Sequence, residues 1–358
     1  MARDLMSAAL TWTAEGASVD EVEAALRELL HRAHEQDEHV VPARVLNMIA
    51  FVDQKRSTEV MTRLRHVGRY SASRLLILAL RPDLDELRAR LQIAPETGAP
   101  QQDADETALV REVVRIELGD RHLPDIQTIA APLVVTDLPT LLWSPHGHRA
   151  ETEPLLALAQ SVLVDSVDDH DAAAGLAQAI ELAGEAYVVD LAWLRSTPWR
   201  ERLAGAFDRR RDELTRISSV QVRHHPDSTA AAALALGWLA SRLGWREGRL
   251  QCSDSGFGGS VRCGERSIEL TMTPDPELRV RGLAGVAIET TSGWRLALDR
   301  GPGGLRARRS ERDGTARSWT IPGASRGESG VLGEGIRQAL LRDPTYLPAL
   351  LAAKAMLS

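Results

Sequence analysis

The sequence predicts an α/β protein in which an N-terminal helix and a sheet or sheets covered by helices are followed by a smaller α+β domain with antiparallel strands. Three observations carry this reading. Short apolar runs alternate with stretches of helical periodicity over residues 41–247, as strands covered by helices on both faces require. After Gly248 the pattern changes to two-residue alternation punctuated by turn residues, including Ser292-Gly293 and Asp313-Gly314. Charge divides at the same place: residues 248–358 carry 16 basic against 12 acidic side chains, so the earlier part bears the whole of the net −7 and more. The expected domains are therefore an amphipathic helix region over 1–40, an α/β domain over 41–247 with two similar halves, and a Gly/Arg-rich α+β domain over 248–358.

The opening helix follows from Val19, Val22, Leu26, Leu29 and Leu30 at helical spacing, with Ser18 and Glu21 placed as a capping box. Residues 44–52 form an apolar run, 57–67 a helix and 74–80 a second apolar run, together one βαβ unit. Residues 83–106 contain Pro95, Gly98 and Pro100 among acids and read as a weak helix and a loop. A long strand is expected at 109–118, a helix at 124–135 and a strand at 138–143. The rhythm then repeats, with strands at 161–167, 187–194 and 217–222 and helices at 171–183, 199–207 and 228–243. Beyond Gly248, strands are expected at 259–263, 267–273, 283–290, 293–299, 304–310 and 315–320, and helices at 328–341 and 345–356.

Composition removes several function classes. Hydrophobic residues make up 44% and charged residues 26% of 358, which is globular usage. The overall acidity argues against coating nucleic acid or an anionic membrane. The longest apolar run, Ala230 to Ala240, is far short of the ~20 residues that span a bilayer, and residues 1–4 open no secretory signal, so the expected location is cytoplasmic.

Each chemical motif has a plainer counterpart. Gly323-Ala324-Ser325-Arg326-Gly327 has the spacing of a nucleophile elbow, but no histidine follows Ser325, and a flexible loop accounts for it. The loops at Gly256-Phe257-Gly258-Gly259 and Gly301-Pro302-Gly303-Gly304 lack the Lys-Ser/Thr of a phosphate loop, and no Gly-x-Gly-x-x-Gly follows a strand. The histidines at 31 and 34 have no third ligand at a recognisable spacing, so no metal site is expected. Asp168-Asp169-His170-Asp171 reads as the acidic start of a helix. Cys252 and Cys263 suit a regulatory thiol pair or, more simply, packing. No catalytic set and no cofactor emerges.

The densest segment is Asp190 to Arg200, where a strand ends in polar groups and a helix starts with Thr197 as cap and Pro198 in its first turn. Trp193, Arg195, Trp199 and Arg200 lie within it. Arginine beside tryptophan is the pairing enriched at interface hot spots, so these four are candidate partner-binding residues, the plainer reading being a well-capped strand-to-helix junction. Arg306 and Arg308 are two more, because strand alternation places both on one face, within a stretch holding ten arginines against four acids over 279–326.

Five ordered segments carry a family resemblance: Ala43 to Asn47, Asp137-Leu138-Pro139 with Leu142-Trp143, Val164-Asp165-Ser166, Asp190 to Trp193 with Thr197 to Arg200, and Gly237 to Trp245. Together they resemble the glucose-6-phosphate dehydrogenase assembly protein family, OpcA. The resemblance implies a non-catalytic partner that binds and allosterically activates glucose-6-phosphate dehydrogenase, supporting NADPH production in the oxidative pentose phosphate pathway. Two places depart from the family pattern: Ser71-Ala72-Ser73-Arg74 where His-Pro-Ser-Arg is usual, and Ser144 where a second Trp follows Trp143. The rival from another class is a binding module or enzyme for a phosphorylated sugar, with arginines and helix N-termini holding the phosphate.

Overall fold

A computed structural model describes residues 9–36, 40–42, 45–66, 73–95, 108–145, 147–208, 210–246, 248–322 and 327–358. The chain divides into two compact units. One comprises residues 1–164, 185–189 and 328–342, the other 165–184, 190–327 and 343–358.

The first unit is built on one nine-stranded sheet. Its strands are β1 (Leu10–Glu15), β2 (Val40–Pro42), β3 (Leu46–Asp53), β4 (Ser73–Leu80), β5 (Arg88–Pro95), β6 (Ala108–Leu118), β7 (Thr140–Trp143), β8 (Ser161–Val164) and β9 (Tyr187–Asp190). They lie in the order β1-β5-β6-β4-β3-β7-β8-β9, with β2 paired to β6. β6, β4, β3, β7 and β8 run parallel, and β5 and β1 continue the sheet antiparallel. Within the set β3, β4, β6, β7, β8, β9 the spatial order is third, second, first, fourth, fifth, sixth. That is a doubly wound arrangement whose order reverses between β3 and β7.

Local chemistry explains these elements. Helix α1 (Val19–Gln36) starts with the box the sequence suggests: Glu21 accepts from the Ser18 amide at 2.8 Å, and the Glu21 amide donates back to the Ser18 hydroxyl at 3.3 Å. β3 is buried along Leu46 to Val52, as a strand covered on both faces must be. Buried Asn47 donates to the Val135 and Leu138 carbonyls at 2.9 and 3.3 Å and accepts from the Val135 amide at 2.9 Å. The Asn47 and Asp137-Leu138-Pro139 motifs are thus one structural contact. Arg74 on β4 meets Glu112 on β6 at 2.6 Å, both interior, and also donates to the Leu133 carbonyl.

Helices α2 (Ser57–His66), α3 (Ile126–Ala130), α4 (Arg149–Thr152) and a later segment, Gly327–Gln338, complete the unit. The structure departs from the sequence expectation in several places: Val40–Pro42 is a strand, and residues 191–194, expected as the end of a strand, are helical. Arg88–Pro95 is β5 and not a weak helix, because Ala89, Leu91 and Ile93 alternate inward. Leu10–Glu15 forms β1 ahead of α1. The Gly-x-Ser-x-Gly serine and the Ser71-Ala72 pair fall outside the described residues, whereas the Ser144 hydroxyl donates to the Gly147 carbonyl.

The second unit carries helices α5 (Ala172–Ala183), α6 (Leu191–Arg195), α7 (Thr197–Phe207), α8 (Arg211–Leu214) and α9 (Thr229–Leu243). Its strands are β10 (Ile217–His224), β11 (Leu250–Ser253), β12 (Gly256–Cys263), β13 (Arg266–Pro274), β14 (Leu283–Thr290), β15 (Arg295–Gly301), β16 (Gly304–Ser310) and β17 (Ala316–Pro322). They form an eight-stranded sheet ordered β11-β12-β13-β10-β14-β15-β16-β17, antiparallel except for the β10–β13 pair. The sequence marks a boundary near Gly248, yet β10 already belongs to this sheet, so the compact unit extends across that glycine.

With the Gly327–Gln338 segment named α10, the last helix is α11 (Tyr346–Leu357), packed with α5 against α9. Where α9 meets α11, a Cβ added to Gly237 would lie 2.2 Å from the Ala349 carbonyl oxygen and 2.7 Å from the Ala353 amide. Only glycine permits that approach.

Candidate functional site

The segment singled out in the sequence lies in the interior of the second unit. Trp193 and Trp199 are each 2% exposed, and the side chain of Arg195 is 6% exposed. The expectation that this segment presents a docking surface therefore does not match its placement, since its side chains are spent on one another and on distant residues. Arg195 forks onto Asp165, with Nη1 donating to Oδ1 at 2.8 Å and Nη2 to Oδ2 at 2.7 Å. The Arg200 guanidinium stacks 3.4 Å from the centroid of the Trp193 ring and donates to the Thr197 hydroxyl at 2.9 Å. Trp193 Nε1 donates to Asp343 at 2.8 Å, and the Trp193 and Tyr346 rings sit 5.6 Å apart.

Asp190 is the centre of this cluster. Its carboxylate accepts from the Ser166 amide and hydroxyl, from the Ala192 amide at 2.9 Å and from the Tyr346 hydroxyl at 3.0 Å. Burial, and then the charge of Asp165, push it up to about 6 despite those donors. Burial lowers Arg200 to about 10, against the pull of Asp343. Burial would also raise Asp343, but hydrogen bonds from Thr345 and Trp193, together with the charge of Arg200, outweigh it and hold the group below its ordinary value. The cap of α7 is Ser196, one residue earlier than the sequence suggests, and its hydroxyl donates to the Trp193 carbonyl at 2.7 Å. Asp171 caps α5 by accepting from the Ala173 amide, as the acidic run implies.

Arg306 and Arg308 are placed as alternation requires. Both are exposed on one face of β16, opposite Asp299 and Ala297 of β15, while Leu305 and Ala307 are buried on the other face. Asp299 already accepts from Arg223 at 2.6 Å. Among the described residues neither Arg306 nor Arg308 forms a hydrogen bond or ion pair, so both guanidinium groups remain available. Their rows run on into small residues, Arg308 lying between Ala297 and Ser318 and Ala297 beside Ala287.

Cys252 and Cys263 are free thiols. Among the described residues there is no cluster of His, Cys, Asp and Glu suited to a metal, and no helix is long and apolar enough to cross a membrane. One feature sequence reasoning missed is the reversal point of the first sheet. There Asp53, the last residue of β3, accepts from the Arg56 amide at 2.8 Å and meets His148 Nε2 at 3.3 Å. A period-2 run tells where a strand ends, but not which other strand end lies beside it.

Comparison with known proteins bears on both units. Residues 64–181 match the glucose-6-phosphate dehydrogenase subunit N-terminal domain, and residues 186–350 match the corresponding C-terminal domain. The chain belongs to the OpcA glucose-6-phosphate dehydrogenase assembly family. OpcA, named an OxPP cycle protein in Synechococcus elongatus, is 28% identical over 221 residues, covering 59% of this chain and 47% of the relative. The OpcA of Nostoc punctiforme is 32% identical over 153 residues, covering 41% of this chain and 33% of the relative. The matches thus span less than half of those proteins' length.

Solved structures share the fold. A 3-ketoreductase of Actinomadura kijaniata has a TM-score of 0.51 at 10% identity, covering 87% of this chain and 95% of that one. The transcriptional regulator Gal80p of Kluyveromyces lactis has a TM-score of 0.50 at 11% identity, covering 87% and 91%. An enzyme and a regulator on one architecture show that fold alone does not decide activity.

Proposed function

We propose that the chain is a non-catalytic assembly factor and allosteric activator of glucose-6-phosphate dehydrogenase, acting in the cytoplasm and supporting NADPH production. The match of both glucose-6-phosphate dehydrogenase subunit domains, in order along the chain, carries this reading. Asp53 supports its non-catalytic part. In doubly wound folds the turn after the first parallel strand offers glycines and helix amides to a pyrophosphate, whereas here a carboxylate occupies that turn and takes the Arg56 amide.

Contact with the dehydrogenase is assigned to the open face bearing Arg306 and Arg308, which suits an acidic partner surface. Trp193, Arg195, Trp199 and Arg200 act from inside, holding the unit that presents the face. Activation means that the chain binds the active state of the enzyme better than the inactive one, because a ligand shifts an equilibrium only by its differential affinity. The test mixes the full chain with its cognate dehydrogenase and follows NADPH formation, with each protein alone as control. The mixture is expected to exceed the dehydrogenase alone, and the chain alone to be inert. Absence of any association overturns the reading.

A further inference from the structure

The first unit contains a cavity of about 390 Å³ beside α2, over the carboxyl ends of the parallel strands. Gln54, Ser57, Thr58, Arg81, Arg115 and Glu117 line it. Gln54 follows β3 directly, Arg81 follows β4, and Arg115 and Glu117 lie on β6. This end of an open parallel sheet is where such folds receive ligands.

The lining is arranged around charge. Arg81 Nη1 donates to Glu117 Oε2 at 2.7 Å, and Arg115 Nη2 donates to Glu117 Oε1 at 3.0 Å. Two guanidinium groups therefore converge on a single carboxylate, leaving one positive charge uncompensated among the three. Their side chains are 34%, 28% and 20% exposed for Arg81, Arg115 and Glu117, so solvent reaches the guanidinium donors without fully screening them. Burial would raise the Glu117 pKa, but the bonds from both arginines prevail and keep it a charged acceptor. The first turn of the ten-residue α2 adds the Ser57 and Thr58 hydroxyls.

We infer that this cavity binds a small phosphorylated sugar, with Arg81 and Arg115 on the phosphate and Glu117 and Gln54 accepting from sugar hydroxyls. Guanidinium pairs match the oxygens of a phosphomonoester, and a fixed carboxylate beside them is the group that accepts from a sugar diol. Asp53 narrows the class. A dinucleotide would need the turn after β3 for its pyrophosphate, and the Asp53 carboxylate repels it there, so the ligand carries a single phosphomonoester. A nucleotide ribose phosphate and a hexose phosphate share this chemistry.

The test titrates the full chain calorimetrically with adenosine 2′-monophosphate, glucose 6-phosphate, inorganic phosphate and adenosine. It uses the chain alone, so its outcome is independent of the partner reading. Saturable binding of one phosphorylated sugar, tighter than inorganic phosphate, is expected, with no binding of adenosine; the preferred sugar identifies the source. Arg81→Gln and Arg115→Gln should each weaken it roughly tenfold or more. Glu117→Gln should weaken the phosphorylated sugar while leaving inorganic phosphate bound as well or better. Thermal unfolding of each variant establishes that it is folded. Failure of both phosphorylated sugars to bind more tightly than inorganic phosphate overturns the inference, as does undiminished binding by folded arginine variants; the arginines are then a solvated ion-pair cluster only.

Discussion

The second unit uses arginine in two opposite ways. Arg195 and Arg200 are interior, each committed to a carboxylate, a ring or a hydroxyl, whereas Arg306 and Arg308 stand on an open sheet face with no partner among the described residues. The first pair cannot be offered to another molecule without dismantling the cluster around Asp190. The second pair loses nothing on docking except water. Neighbouring tryptophans mark the first pair as candidates and strand alternation marks the second, and only burial separates the structural pair from the available one.

The largest effect should come from breaking the interior side. Arg195→Ala strips Asp165 of its fork and leaves a 5%-exposed carboxylate near Asp190, which is expected to cost about 3–5 kcal/mol in urea unfolding. A change below about 1 kcal/mol would mean that the fork contributes little and would blur the contrast.

The pH dependence of Asp190 gives the next effect. Its folded pKa of about 6 lies above the ordinary value of 3.8, so the folded chain holds its proton longer than the unfolded chain does. Stability from this group is therefore retained below about pH 4 and lost as pH rises through 6. Comparison with Asp190→Asn isolates it. Relative to that variant, the native chain should lose on the order of 1–3 kcal/mol between pH 4 and pH 7. A flat difference would place the proton elsewhere in the cluster. Tyr346→Phe, which removes one donor to Asp190, should cost about 1 kcal/mol and raise its pKa further.

The smallest effect on stability should come from the open face. Arg306→Glu with Arg308→Glu is expected to leave unfolding within about 0.5 kcal/mol. Association with the dehydrogenase should nevertheless slow, and its rate should lose most of its dependence on ionic strength. Equal rates and equal salt slopes for native and variant chains would reduce these arginines to edge protection.

What was legible in the sequence was local. Ser18 with Glu21, the alternation in β16 and the acidic start of α5 depend on residues within a few positions, and the structure places them as read. β5 was obscured because the leucines at 84, 87 and 91 share helical spacing, so period 3.6 competes with the period 2 of Ala89, Leu91 and Ile93. The interior fate of Arg195 and Trp193 depends on Asp165, thirty positions away, and Asp343, 150 positions away. No window of sequence holds those partners together.

The second unit is completed by residues 343–358, whose Asp343 receives Trp193, whose Tyr346 reaches Asp190 and whose Ala349 closes on Gly237. On the ribosome, every earlier strand and helix of that unit emerges before this last helix does. Until then Asp190 lacks its phenol and the glycine side of α9 has nothing to cover it. The shielding of α9 therefore waits until residues 343–358 have been made, after every other strand and helix of the second unit.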